Sequence, residues 1–197
     1  MMDAARFYEA QALKYLDARD RSRVGVEIVE GWARSLPFGS TVVEIACGGG
    51  YPITQVLVDA GLAVWAIDTS PTLLRQFRLR FPAIPTRCAS AVDSDYFGRR
   101  FEAVISIGLV SFLREDEQLA FLHRVSEILE PQGHFLFTAP VETGTWQDVT
   151  TGLECWSLGR IAYTRALERN GLRVIRTHVD EGANNYYEAI KIGGTAL

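Results

Sequence analysis

The chain has 197 residues, 48% of them hydrophobic and 22% charged, with a net charge of −4. That size and composition suit one globular α/β domain with a sizeable core, and disfavour a two-domain or disordered chain. The acidic balance lacks the basic excess of a protein that neutralises many phosphates, so nucleic acid is disfavoured as a partner.

The three cysteines, Cys47, Cys88 and Cys155, are scattered without metal-ligand spacing and read as free thiols of a reducing compartment. The start, Met1-Met2-Asp3-Ala4-Ala5-Arg6, has no apolar signal core, and no uncharged run approaches a membrane span. A soluble cytoplasmic protein is therefore expected. From about Ala4 to Ala18 the spacing of Phe7, Ala10 and Leu13 predicts a helix that also carries Tyr8 and Tyr15. For these tyrosines, packing at a helix edge and contact with a ligand beneath a helical roof are equal readings. A second helix is predicted from Ser22 to Leu36, with Val24, Ile28, Trp32 and Leu36 on one face and Pro37 and Gly39 at its end.

The stretch Thr41 to Ile53 organises the rest of the chain. Val42, Val43 and Ile45 predict a buried strand, and Gly48-Gly49-Gly50 a turn whose backbone can approach a ligand closely. Pro52 suits the first position of a helix containing Ile53, Val56, Leu57 and Ala60 and stopped by Gly61. Glu44 lies inside the strand, where a pyrophosphate-binding turn would gain nothing from negative charge but a cationic ligand would. Asp68 closes the next hydrophobic run, Ala63 to Ile67, 24 positions beyond Glu44, where such folds place a carboxylate on a ribose diol.

These residues resemble the class I S-adenosylmethionine-dependent methyltransferases, whose first motif reads acid-x-Gly-x-Gly-x-Gly and whose second strand ends in an acid. The resemblance covers most of the chain. It implies a Rossmann-like three-layer α/β/α sandwich, with a mostly parallel seven-stranded sheet in the order 3-2-1-4-5-7-6 and an antiparallel last strand. Residues 1–197 would form one domain, with 1–38 as an N-terminal helical cap and 39–197 as the core. It further implies that Glu44 helps hold the cofactor's amino group, that Ala46, Cys47, Gly48 and Gly50 lie against the cofactor, and that Asp68 takes the ribose hydroxyls. Ala46 stands where the family has its first glycine, so it must keep φ negative or accept strain.

Beyond Asp68, Ser70 and Pro71 open a helix carrying Leu73, Leu74, Phe77 and Phe81 and ended by Pro82. Thr69 and Ser70 match the family's adenosine-lining turn, with capping an equal reading for Ser70; Arg75, Arg78 and Arg80 read as a solvated face. The third strand, Pro85 to Ala89, leads to Ser90, Ala91 and Asp93, where the family reads the adenine amino group. Ser90 holds the family's acidic position, with the Ala91 backbone and Asp93 as alternatives. Phe101 to Gly108 predicts the fourth strand, with Glu102 as a strand-entry residue and Ile107 beside the cofactor. The residues after it lack the Pro-Pro motif of base-amine methyltransferases.

A helix from Glu115 to Glu130, stopped by Pro131, precedes a fifth strand from Gly133 to Ala139. Leu129-Glu130-Pro131-Gln132-Gly133 resembles the family's Leu-Lys-Pro-Gly-Gly turn, and His123 and His134 read as surface or packing histidines. From Pro140 to Trp156 the pattern dissolves into a loop in which Trp146 could stack on a substrate and Asp148 orient it or accept a proton, with self-packing an equal reading. Ser157 is the expected cap of a helix whose face holds Leu158, Ile161, Ala162 and Ala166 and which ends at Asn170-Gly171. The tail predicts a β-hairpin, Leu172 to Val179 and Tyr186 to Ile192. Asp180, Asn184 and Tyr186 are substrate-side candidates against plain turn chemistry.

The function expected from the resemblance is transfer of a methyl group from S-adenosylmethionine to an oxygen, nitrogen or sulfur of a small molecule, leaving S-adenosylhomocysteine. Asp148, Tyr8 and His178 are the candidate bases if the acceptor must lose a proton. A cofactor-binding module acting through a partner protein is the first rival. A nicotinamide-dependent oxidoreductase is the second; it leaves Glu44 unexplained and puts Tyr51-Pro52 where a third glycine is needed. Neither the acceptor nor the oligomeric state is legible.

Overall fold

The computed structural model describes residues 4–149 and 151–193, so the reading of the first three residues lies outside it. Three helices come first: α1 (Ala4–Ala10), α2 (Ala12–Asp20) and α3 (Val26–Ser35). The single helix expected to Ala18 is thus broken at Gln11. The next helix begins later than Ser22 because Gly25, at φ 79°, turns the chain into it. No helix among the described residues is long and apolar enough to cross a membrane.

The core then alternates β1 (Thr41–Ile45), α4 (Ile53–Asp59), β2 (Ala63–Asp68), α5 (Pro71–Arg80), β3 (Thr86–Cys88), β4 (Phe101–Ser106), α6 (Glu115–Ile128) and β5 (Leu129–Thr138). After it come β6 (Gly144–Gln147), β7 (Glu154–Ser157), α7 (Arg160–Arg169), β8 (Leu172–Val179) and β9 (Asn185–Lys191). Seven of the strands form one sheet in the order β3-β2-β1-β4-β5-β9-β8, with β9 antiparallel to both neighbours. This is the predicted Rossmann-like order, with β8 and β9 as its sixth and seventh strands.

The period-2 alternation of the strands sorts side chains into two layers. Val43, Ile45, Val104, Phe135 and Phe137 pack against α6 and α7, and Val42, Val64, Ala103, Ile105 and Leu136 against α3 and α4. Parallel strands aligned this way put the ends of β1, β2, β4 and β5 along one edge, where α/β folds bind ligands.

Several expectations need correction. The segment after β5 is not structureless: β6 and β7 pair antiparallel, with Trp146 opposite Cys155. Ser157 ends β7, and its hydroxyl accepts from the Gly159 N–H one residue before α7. On α7 it is Tyr163, Ala166 and Leu167 that are buried, and Ile161 is exposed. Pro131 lies inside β5, which starts at Leu129 directly after α6. Gln132, where the family has glycine, takes a left-handed φ of 67°.

Arg80 is not simply solvated. Its guanidinium donates to both Asp20 carboxylate oxygens, at 2.8 and 2.5 Å, and to the Gly49 carbonyl at 3.1 Å, tying α2 and α5 to the glycine turn. Glu102 does guard the strand entry, accepting from the Thr41 N–H at 2.8 Å.

Candidate active site

The glycine turn follows from the requirements of its backbone. After β1 the chain must leave the sheet and enter α4 within a few residues, and the Ala46 and Cys47 N–H groups both donate to the Ile67 carbonyl, at 2.8 and 3.1 Å. This holds Ala46 at φ 62°, the strained alternative foreseen for a non-glycine residue there. Gly48 and Gly50 are also left-handed. A Cβ at Gly50 would sit 2.5 Å from the Phe81 ring, so this glycine serves helix packing.

Two carboxylates frame the turn. Asp68, at the end of β2, accepts from the Gly48 N–H and the Ser70 N–H, both at 2.8 Å. Burial pushes its pKa up, and these N–H donors oppose the rise. Glu44 is buried on β1, accepts from the Thr54 hydroxyl at 2.5 Å, and is pushed up to about 8 by burial, against the pull of that hydroxyl and of Arg19. Burial also raises the Cys47 thiol well above its ordinary value.

Three adjoining chambers open along this edge of the sheet. The first, about 160 Å³, has Glu44, Cys47 and Gly48 on its floor and Tyr15, Arg19 and Tyr186 on its walls. Among the described residues lining it, Arg19 is the one basic side chain and Glu44 the one acidic side chain. The second, about 320 Å³, is bounded by Asp68, Thr69, Ser90, Ala91 and Asp93, with Tyr8 and Phe112 closing it. The third, about 290 Å³, is bounded by Thr138, Trp146, Asp148, Cys155 and Asn184. Gly108 lines all three, so they meet at the end of β4.

The first two chambers share Tyr15, Ala46, Gly48 and Ile107. The predicted cofactor set is therefore brought together, except Gly50 and Ser70, which line no chamber. Gly49, not predicted, lines the first chamber where Gly50 does not. Ser70 caps α5, accepting from the Leu73 N–H at 3.1 Å, and donates its hydroxyl to Glu9, so capping is its structural role. Ser90 is likewise engaged in its own turn, accepting from the Val92 and Asp93 N–H groups and donating to the Asp93 carboxylate at 2.9 Å.

Of the candidate bases, Tyr8 lies in the second chamber with its ring edge-on to Tyr15 and Phe112, and burial raises its pKa. Asp148 lines the third chamber and accepts from the Thr151 N–H and hydroxyl at 2.7 and 2.8 Å. His178 does not belong to the site. It sits on β8 with its Nε2 3.6 Å from the buried Glu188, lining no chamber. His123 is exposed and bonded to Asn170, and His134 flanks Glu188 from the other side.

Among the substrate candidates, Trp146, Asp148 and Asn184 line the third chamber and Tyr186 the first. Asp180 lines none; it is a buried turn carboxylate bonded to Asn184 and Tyr186. Sequence reasoning missed Arg19, Phe112 and Thr138, while Gly108 lies where the fourth strand leaves the sheet. Arg19 carried a signal, since it lies four residues after Tyr15 on one helix face. Gly108 and Thr138 sit at the ends of adjacent parallel strands, the positions that line such crevices.

Residues 42–133 match a family described as a methyltransferase domain. Over these residues, just under half of the chain, the protein is similar to that methyltransferase family. The fold agrees with the CcbJ methyltransferase from Streptomyces caelestis, with a TM-score of 0.74 at 15% identity over 95% of this chain and 98% of that one. It also agrees with the glycopeptide N-methyltransferase MtfA, with a TM-score of 0.70 at 20% identity, covering 89% of this chain and 98% of that one. In sequence, a tRNA U34 carboxymethyltransferase of Idiomarina loihiensis is 25% identical over 125 residues, covering 57% of this chain. The match spans only 38% of that relative's length.

Proposed function

We propose that this protein binds S-adenosylmethionine across the first two chambers and methylates a small molecule held in the third. The observation that carries the reading is the junction at Gly108. There a chamber bearing one acidic and one basic side chain, a chamber edged by Asp68, and a third chamber open to an acceptor all meet.

The residues fit the cofactor. Glu44 and Arg19 are complementary to the ammonium and carboxylate of its amino-acid end. Each Asp68 oxygen takes one backbone N–H and keeps lone pairs for a ribose diol, while the Asp93 carboxylate, held by Ser90, offers an acceptor to the adenine amine. Bound there, the cofactor supplies an activated methyl group. What the chain must add is alignment of the acceptor and exclusion of water, which the α1–α2 roof and the aromatic wall of Tyr8 and Phe112 serve.

A small acceptor is favoured over a polynucleotide by the third chamber's lining. Among the described residues there, none is Lys, Arg or His, and Asp148 is charged with the wrong sign for phosphate. Domain extent over residues 1–197 and action as an enzyme, as opposed to a binding module, are parts of the same proposal.

Calorimetric titration with S-adenosylhomocysteine and, separately, NADH tests the cofactor. Saturable binding of the first is expected, weakened about 10- to 100-fold in Asp68→Ala, as loss of charge-assisted hydrogen bonds worth roughly 1.5–3 kcal/mol would give. Binding of NADH alone, or of neither, would overturn the reading. Labelled-methyl transfer then separates enzyme from binding module.

A further inference from the structure

The turn between β8 and β9 bears on which atom accepts the methyl group. Asp180 gathers five hydrogen bonds there. One oxygen accepts from the Gly182 N–H at 2.9 Å, the Asn184 N–H at 2.8 Å and the Asn184 amide at 3.0 Å; the other accepts from the same amide and from the Tyr186 hydroxyl, both at 2.9 Å. A carboxylate can only accept, so it settles the orientation of Asn184: the NH₂ group must face Asp180, and the carbonyl oxygen must point the other way. Asn184 forms part of the wall shared by the first and third chambers, and its carbonyl oxygen has no hydrogen-bond donor among the described residues. A fixed, unspent acceptor thus stands where the cofactor and acceptor spaces meet.

This placement is built into the fold. The Tyr186 hydroxyl reaches Asp180 by passing Gly25, where a Cβ would collide with the phenol oxygen. Gly25 is also the N-cap of α3, so one residue serves both that helix start and the turn. The rest of the third chamber is consistent in sign. Asp148 is its one charged side chain and the Asn184 carbonyl a further acceptor, beside the neutral groups of Ser111, Thr138 and Asn185; its rings are Trp146 and Phe112, and no cation or histidine lines it among the described residues.

Resting on the methyltransferase reading, we infer that the acceptor is an amine on a flat ring system, with an N–H held by the Asn184 carbonyl and Asp180 as the positioning residue. A neutral amine keeps its lone pair while its N–H donates to that carbonyl. An alcohol or phenol reacting as its oxyanion would need a compensating positive charge beside it; among the described residues the chamber offers neutral donors from Ser111, Thr138 and Asn185, and the Asp148 carboxylate opposes that charge. In the transfer, the nitrogen lone pair forms the new C–N bond as the methyl–sulfur bond breaks and its electrons pass to sulfur. The proton then leaves the methylated ammonium to water.

The test uses the full chain saturated with S-adenosylhomocysteine and a panel of aryl- and heteroaryl-methylamines, each with its alcohol and thiol counterpart. Binding is read by ligand-observed NMR, and methyl transfer from S-adenosylmethionine by product mass. Amines should bind and be methylated at nitrogen in preference to their counterparts. Asn184→Ala should weaken amine binding and lower turnover at least tenfold, a larger loss than any it causes in the Kd for S-adenosylhomocysteine. Asp180→Asn, which lets the Asn184 amide turn over, should lower the amine-over-alcohol preference with folding and cofactor affinity retained. Preference for alcohols or thiols, no binding of any amine, or an Asn184→Ala loss confined to cofactor affinity would each overturn the inference. Intact binding of S-adenosylhomocysteine in those outcomes would leave the methyltransferase reading standing, and its absence would remove both.

Discussion

A carboxyl group buried like Glu44 holds its proton until a cation arrives to replace it. Its pKa is near 8, so the free protein at pH 6–7 carries it largely neutral, and the ammonium end of S-adenosylhomocysteine would favour the ionised form. Binding should therefore release close to one proton at pH 6.5, and affinity should climb by up to about tenfold per pH unit below 8. Calorimetry in two buffers of different ionisation enthalpy measures the release; Glu44→Gln should abolish it and weaken binding. Two positions away, Ala46 sits at φ 62°, a conformation costing an L-residue roughly 1–2 kcal/mol. Ala46→Gly relieves that strain but adds freedom to the unfolded chain worth about 0.5–1 kcal/mol. A net gain of about 0.5–1 kcal/mol is expected, seen as a melting temperature about 1–4 °C higher with cofactor affinity unchanged. No rise would mean that the turn's two hydrogen bonds to Ile67 already absorb the strain.

Among the elements, α1 depends most on a few contacts. Seven residues are too few for a helix to persist alone, so its position rests on what docks it. Glu9 does much of this, accepting from the Ser70 hydroxyl at 2.5 Å and from the Thr72 hydroxyl and N–H at 2.6 and 3.2 Å; the Ser70 bond leads in holding its pKa below the ordinary value. Glu9→Ala should speed amide exchange across residues 4–20 and reduce affinity for S-adenosylhomocysteine several-fold, because Tyr8 and Tyr15 approach the chambers from this segment. Protection in β1 and β4 should not change; if it falls as well, Glu9 supports the whole fold and not the roof alone. The α1–α5 tie was invisible in the sequence because a single Glu on a helix face looks like any solvated charge. The sheet was legible because β-branched runs, glycines and prolines mark strands and turns locally, and the two acids declared themselves by lying at strand positions where water does not reach. The β6–β7 hairpin escaped because Gly144 to Gln147 are all exposed, so no apolar alternation marks them. Asp180 could be flagged from its turn, yet whether it faced a ligand or its own neighbours depended on Tyr186 arriving past Gly25, a contact 161 positions apart in the chain.

At the scale of the molecule these local choices predict how stability depends on pH. Glu44 and Asp68 both have pKa values raised on folding, so between the ordinary carboxylate range and about pH 8 the native state holds protons that the unfolded chain has already lost. Unfolding free energy must then fall as pH rises through that window, by at most about 1.4 kcal/mol per unit for each such group. Glu9, whose pKa is lowered, acts in the opposite sense. It stabilises the fold above the ordinary carboxylate range and loses that effect as pH drops through its own, lower pKa. The protein without ligand should therefore be most stable near pH 5 and lose stability toward pH 8, as read from urea midpoints at pH 5, 6.5 and 8. Glu44→Gln should flatten the decline. Saturating S-adenosylhomocysteine should reverse it, since binding grows stronger over the same window in which the free protein weakens. A ligand-free protein whose midpoint rises from pH 5 to pH 8 would mean that Glu44 ionises without its cation, and the proton release expected on binding would vanish with it.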